Sequence, residues 1–250
     1  MRTKVLLAIV LIAGIAFAGK KVKKEKQEKQ EKISEIKYGM NNAGTLLQIE
    51  FEKGAEFNHP LYAIWLANEQ GDYIQTLFVV ESIGKGVFKR GSKRTGKWLP
   101  GEIQRPAALP YWVHQRNVQN ENGGLLPTPA RAVPDAYTGA TPTSSFVLQT
   151  KTDLPLKGKY LVFFEINQSW DWNDYWYNDK YPHNSEYKTS SQPALVYQAM
   201  IDASNPNTEI RFTPIGHSHY AGENGLLNRD IRTLTTALKI AKSIRVRIVQ

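Results

Sequence analysis

The sequence predicts an all-β fold, an immunoglobulin-like antiparallel β-sandwich with long aromatic-rich loops and at most one short helix. Three observations predict it. Short runs rich in Val, Ile, Phe, Tyr and Thr recur along the chain, clusters of Gly, Asn, Asp and Pro separate them, and helical periodicity is nearly absent.

The chain opens MRTKVLLAIVLIAGIAFAGKK. Arg2 and Lys4 precede an apolar run from Val5 to Phe17, and Ala16-Phe17-Ala18 has the small-x-small form of a cleavage site. That layout predicts a signal peptide over 1–18, cleaved near Ala18, because a membrane-spanning helix needs about 20 apolar residues. The mature protein is therefore expected in the periplasm or secreted. There is no Cys, which removes disulfides, thiolate chemistry and a lipid-modified cysteine from consideration. Residues 19–37 read as a basic low-complexity tether. Within it Lys20 to Lys32 carries seven Lys against three Glu and one apolar residue, too few to bury. With the tether's excess of four and the leader's Arg2 and Lys4 set aside, the chain's net charge of +9 falls to +3. The folded part thus has no strongly basic balance. Nucleic acid is not an expected partner, whereas Lys20–Lys32 suits contact with an anionic membrane surface.

The sandwich is expected as one domain over 38–250. Thr45 to Phe51 alternates partially. Leu61–Leu66 and Tyr73–Val80 flank Asn68-Glu69-Gln70-Gly71-Asp72 as a hairpin would. Further strands are expected at Phe146–Thr150, Lys159–Asn167, Ala194–Asp202, Glu209–Pro214 and Ser243–Val249. The one helical candidate is Thr233–Lys242, whose threonines weaken it. Two connections exceed what a minimal sandwich needs: Ser82–Val133, rich in Gly, Pro, Lys and Arg, and Gln168–Gln192, which contains SWDWNDYWYNDKYPHNSEY. Long connections with embedded aromatics are where function is expected.

The order of several segments resembles a bacterial family of predicted periplasmic proteins, domain of unknown function 2271. The matching segments are YAIWLANEQGDYIQTLFV, WLP, DAYTGATP, GKYLVFFEIN and the closing GHSHYAGENGLLNRDIRTLTTALKIAKSIRVRIV, which together span most of 45–250. The resemblance implies compartment and fold but no reaction. It also implies, as partners, a membrane redox protein of PepSY type and a flavin transferase.

A separate resemblance is local. Asp135, Thr138, Gly139, Ala140 and Thr141 match the Asp-x-x-Ser/Thr-Gly-Ala-Thr motif of proteins that carry covalent FMN outside the bacterial cytoplasm, and Thr143 and Ser144 match its extension. Average residue usage produces such a match by accident in roughly one chain of this length in a thousand or two. Carried over, Thr141 is the residue esterified to the FMN phosphate. Gly139 and Ala140 would keep the approach open, and the flanking hydroxyls would meet phosphate oxygens. The same residues also read as ordinary turn chemistry, with Asp135 closing an Asx-turn and Gly139 at positive φ.

His217 and His219, two apart in GHSHY, would share one face of a strand about 7 Å apart and form half of a divalent-metal site. Trp170, Trp172 and Trp176, mixed with Asp and Asn, form a candidate stacking platform for sugar rings or a planar cofactor; alternatively they cap the core. Glu165, Asp171 and Asp174 are carboxylates without the spacing information that glycoside chemistry requires. There is no G-x-S-x-G, H-E-x-x-H or phosphate loop. The expected role is a non-catalytic accessory or binding protein in an extracytoplasmic flavin-linked redox or metal-handling system. The alternative is a carbohydrate-binding or adhesion module that uses the aromatic loop 168–192.

Overall fold

The structure, a computed structural model, describes residues 33–250. The expected leader and Lys20–Lys32 lie outside the described residues. Two sheets pack as a sandwich, as the patterning predicts. The first contains β1 (Ser34–Tyr38), β2 (Leu46–Lys53), β8 (Phe146–Lys151), β11 (Ile210–Arg211) and β13 (Ala241–Val249), in the order β1-β8-β2-β13-β11. The second contains β3 (Leu61–Ala67), β4 (Tyr73–Val80), β7 (Thr138–Gly139), β9 (Lys159–Asn167), β10 (Leu195–Asp202) and β12 (Thr213–His217), in the order β12-β10-β9-β3-β4-β7. Pairing is antiparallel except where β1 joins β8 and β7 joins β4. A separate hairpin pairs β5 (Val87–Ser92) with β6 (Leu99–Glu102).

The sheet begins earlier than the expected boundary at residue 38, because Ser34–Tyr38 pairs with β8 and half-buries Ile36 and Tyr38. The single strand expected at Glu209–Pro214 is two. The chain leaves the first sheet after Arg211, buries Phe212 between the layers and enters the second at Thr213. Thr233–Lys242 forms no helix beyond a 3-10 turn at Ala237–Lys239, and β13 begins at Ala241. Its polar groups are committed elsewhere: the Thr233 carbonyl accepts from Asn173 Nδ2 at 2.8 Å, and Thr236 Oγ1 donates to Asp171 Oδ1 at 2.6 Å. Three helices of at most seven residues occur instead in the long connections: α1 (Glu81–Gly84), α2 (Pro110–Arg116) and α3 (Ser185–Ser190).

Burial explains the difference between the two sheets. In β2 the residues alternate, with Leu47, Ile49 and Phe51 inside and Gln48, Glu50 and Glu52 outside. The outer row meets cations from β13: Arg245 lies 3.2 Å from Glu50 and Lys242 lies 2.6 Å from Glu52. In β3 and β9 the alternation disappears because both faces are covered. Tyr62 and Phe164 point inward and meet Phe51 edge-on and stacked, at 5.4 and 5.9 Å between centroids. Trp65 and Phe163 point outward, stack at 5.0 Å, and are covered by Tyr111 of α2.

Glu165 lies on that covered outer face, fully buried. Its Oε1 accepts from the Tyr111 amide at 3.0 Å and its Oε2 from the Trp112 amide at 2.7 Å. These are amides of the first turn of α2, which lack intrahelical partners, so a carboxyl from a distant strand closes the helix start. Glu165, which the sequence left without a role, thus has a structural one. Burial pushes its carboxyl up to about 8, against the lowering effect of the two amides.

The folded protein therefore keeps a proton at Glu165 that the unfolded chain has already lost, and stability falls as pH rises from about 4.5 to about 8. Urea midpoints should show this fall at up to about 1.4 kcal/mol per pH unit from this group, and Glu165→Gln should flatten it. Glu165→Leu leaves both amides unpaired and should cost about 2–4 kcal/mol below about pH 4.5, less as pH rises and the parent loses its own Glu165 contribution. Equal pH slopes in the parent and Glu165→Gln would remove Glu165 as the titrating group.

Candidate functional site

After β4 the chain turns through α1 into the β5/β6 hairpin, then through α2 and a long return to Asp135–Thr138. This path brings the motif residues 135–144 back beside the start of the hairpin. Pro134 leads a 3-10 turn, Asp135–Tyr137, and Thr138 and Gly139 add a two-residue parallel edge to β4 opposite Val79 and Val80.

The motif divides into a buried half and a groove-facing half. Thr138 and Gly139 are buried. A Cβ at Gly139 would sit 2.0 Å from the Tyr38 hydroxyl oxygen, so a side chain there is excluded by close packing, and positive φ is not what the site demands. Asp135 closes no Asx-turn; its carboxylate pairs with Lys85 at 2.9 Å, on the solvent side. Both expectations for turn chemistry at these residues are thus corrected. Ala140 is exposed, Thr141 is half-buried, and both line a groove of about 530 Å³ with Thr143.

Much of the remaining lining of that groove comes from the hairpin. Phe88, Lys89 and Arg90 of β5 and Arg105, just past β6, line it, as does His59. The Arg105 guanidinium lies over the Phe88 ring, 5.6 Å from its centroid. Glu81 is the acidic residue in the lining, and Lys85 lies 3.1 Å from it. A threonine hydroxyl therefore shares a groove with three cations and an aromatic face. That donor set suits a phosphorylated aromatic molecule: guanidinium and ammonium groups for a phosphate, Phe88 for a ring. A smaller cavity of about 150 Å³ continues from the groove, sharing Leu61, Phe88 and Arg105 and ending at Asn167, Ser190 and Trp170.

Trp170 and Trp172 meet edge-on at 6.5 Å between centroids, and Trp172 and Trp176 both pack on Tyr187, so the three rings form a tilted cluster and no single flat face. Trp176 is buried, donates Nε1–H to Thr233 Oγ1 at 3.1 Å and packs near Tyr187. Trp172 is half-buried with its edge on Tyr187 at 5.7 Å. Trp170 alone is largely exposed, at 66%, on a residue with φ of 64°. The structure thus separates Trp170, beside the Thr141 side of the molecule, from Trp176, which lines a different groove of about 510 Å³. In that groove Tyr181 and Tyr220 stack at 4.0 Å, and Asn224, Asn228 and Asp230 add polar groups.

His217 and His219 line the same groove, without the geometry expected of a metal pair. Strand β12 ends at His217, so the two-residue repeat does not carry through to His219. His217 Nδ1 lies 2.8 Å from the Ser218 carbonyl, which fixes Nδ1–H as donor. His219 Nδ1 faces the amides of Ala221 and Glu223 at 3.3 and 3.4 Å, and its Nε2 is 4.0 Å from Glu223. No cluster of three or more His, Asp or Glu that could hold a metal occurs among the described residues. Burial lowers the basicity of His217, and the Ser218 carbonyl only partly opposes it.

Sequence reading marked the Ser82–Val133 connection as functional but did not single out Phe88, Lys89, Arg90 or Arg105. The signal was present as the run Val87-Phe88-Lys89-Arg90, apolar residues followed by cations at the start of a hairpin. Compared with known proteins, the chain matches no family model, no curated protein and no solved structure.

Two outcomes follow from this geometry. Gly139→Ala should cost about 1–3 kcal/mol in urea unfolding because Tyr38 must move, whereas Ala140→Ser, on an exposed position, should change stability by less than about 0.5 kcal/mol. A proton titration followed by NMR should find His217 still neutral at a pH where an exposed imidazole is half charged. The unfolded chain takes up that proton first, so this group's contribution to stability is lost as pH falls through the ordinary His range. An unshifted His217 titration would contradict its burial.

Proposed function

We propose that this chain is a non-catalytic, extracytoplasmic accessory protein that carries FMN as a phosphoester on Thr141. The observation that carries the reading is the shared groove of about 530 Å³, which a motif threonine lines together with Lys89, Arg90 and Arg105. Bound FMN would supply reversible electron transfer. The chain's own residues do the rest. Thr141 provides the oxygen of the ester, and the three cations offset the phosphate charge, each charge-assisted contact being stronger than a neutral one. Phe88, backed by Arg105, offers a face to a ring, and Gly139 keeps the strand close to Tyr38 so that Ala140 and Thr141 reach the groove. The signal-like leader and the resemblance to the periplasmic family favour a location outside the cytoplasm, with a flavin transferase as the modifying partner and a PepSY-type membrane protein as the redox partner. No helix among the described residues is long and apolar enough to cross a membrane.

A specific observation favours a second reading. The groove between Tyr175, Trp176, Tyr181 and Tyr220 combines aromatic walls with Asn224, Asn228 and Asp230, the composition of a sugar-binding cleft. On this reading the protein is a carbohydrate-binding or adhesion module. Its site lies at the Trp176 end of the aromatic loop, away from Trp170 and Trp172.

Coexpression with a bacterial flavin transferase separates the two. The first reading expects an intact mass raised by one FMN less one water and a fluorescent band in denaturing gels, both absent in Thr141→Ala. An unmodified mass, with a control substrate modified in the same cells, would overturn it. The second reading expects tryptophan fluorescence to change with oligosaccharides and the response to vanish in Tyr181→Ala.

A further inference from the structure

The β5/β6 hairpin does more than wall the groove. Its strands belong to neither main sheet, and residues 93–100, the turn and the first two residues of β6, are all exposed. This tip reads Lys93-Arg94-Thr95-Gly96-Lys97-Trp98-Leu99-Pro100. Gly96 turns the chain at φ of 78°, and a side chain built there would have nothing within 4 Å, so the tip projects free of the body. Trp98 is 59% exposed and Leu99 45%, two large apolar side chains adjacent in the chain at the hairpin's tip. Lys93 Nζ lies 5.6 Å from the Trp98 ring centre. Lys93, Arg94 and Lys97 make no ion pair among the described residues, and the acidic residue of the hairpin, Glu102, lies at its base.

We infer that this tip docks on an anionic lipid bilayer, seating Trp98 and Leu99 at the headgroup level while Lys93, Arg94 and Lys97 face lipid phosphates. Each part of the tip fits that surface. Tryptophan favours the membrane–water boundary because its ring is apolar and its N–H is polar. Cations near an anionic leaflet are attracted without needing a fixed partner. A nucleic acid would engage the three cations and give Trp98 bases to stack on, but would leave Leu99 and Pro100 without an apolar environment. An acidic protein surface would satisfy the three cations but would leave Trp98 and Leu99 without an apolar environment. The inference stands apart from the flavin reading, since Lys93, Arg94, Lys97 and Trp98 do not line the Thr141 groove. If both hold, the groove opens within about 20 Å of the bilayer, the span of a short strand at 3.3 Å per residue.

The test uses the full chain with vesicles of phosphatidylcholine alone and of phosphatidylcholine with one quarter phosphatidylglycerol, in cosedimentation and in fluorescence quenching by lipids brominated in the acyl chains. Lys20–Lys32 adds its own attraction to anionic lipid, so the differences between variants carry the result. The parent should favour the anionic vesicles at least tenfold. Reversing Lys93, Arg94 and Lys97 to Glu should reduce that binding by at least about tenfold, and Trp98→Ser with Leu99→Ser should do the same. Bromolipid quenching should be present in the parent and lost in Trp98→Phe. All the substituted positions are exposed, and an unchanged melting temperature would verify that the fold is intact. Equal binding by the tip variants and the parent, or equal quenching in Trp98→Phe, would overturn the inference. So would tighter binding to a duplex oligonucleotide than to anionic vesicles at the same salt.

Discussion

The buried carboxyl of Glu165 is the constraint on which the rest of the arrangement depends. A carboxyl group at the centre of an aromatic face is costly unless it is neutral or hydrogen-bonded. Here it is both: burial favours the protonated form, and the two oxygens accept the amides of Tyr111 and Trp112. The pairing solves two problems together, since neither a helix start nor a buried carboxyl tolerates being left unsatisfied. It fixes α2 across β9 and lets Tyr111 cover the stacked Trp65 and Phe163. Trp112 then reaches β4, where its Nε1–H donates to Thr76 at 3.0 Å.

With α2 fixed, both ends of the long connection are positioned. The hairpin before it is held against the edge of the second sheet, and the return after it delivers Asp135–Thr141 to the same edge. The groove between them is therefore a product of the insertion and not of the sandwich. Its chemistry has two sources: cations and Phe88 from the hairpin, and hydroxyls from the motif. The proposed flavin site and the proposed lipid-facing tip lie at opposite ends of the hairpin, so one element would orient the groove relative to a membrane. That arrangement suits a protein whose proposed redox partner is embedded in the bilayer.

How much of this was legible in the sequence varied with the physical origin of each feature. The strands of the sandwich were readable because their periodicity is a direct imprint of burial on one or both faces, and β3, β4, β8 and β9 fall within a residue or so of their expected limits. The shortest elements were not. β7 has two residues, and α1 to α3 are too short to carry a helical period. Thr233–Lys242 had the pattern of a helix, but its threonines are bonded to the aromatic loop, a tertiary demand that no local pattern reports. At the site, the motif threonine was visible as a string of residues. The cations that share its groove come from 36 to 52 residues earlier, joined to it by a fold in which Glu165 looks, in sequence, like any strand glutamate. The aromatic loop misled in a simpler way: three tryptophans within seven residues share neighbours yet differ in exposure, Trp170 open, Trp172 half-buried and Trp176 buried.

The central claim is that Thr141, and not a neighbouring hydroxyl, is the point of attachment for a flavin phosphate. The tryptic peptide Ala132–Lys151 contains Thr138, Thr141, Thr143 and Ser144 together. Fragmentation of that peptide by mass spectrometry, from protein coexpressed with a flavin transferase, tests the claim directly. Fragment ions should confine the FMN mass to Thr141, since Thr138 is buried in β7. An adduct on Thr138, or a fully unmodified peptide alongside an efficiently modified control, would contradict it and return the motif to its packing role against Tyr38.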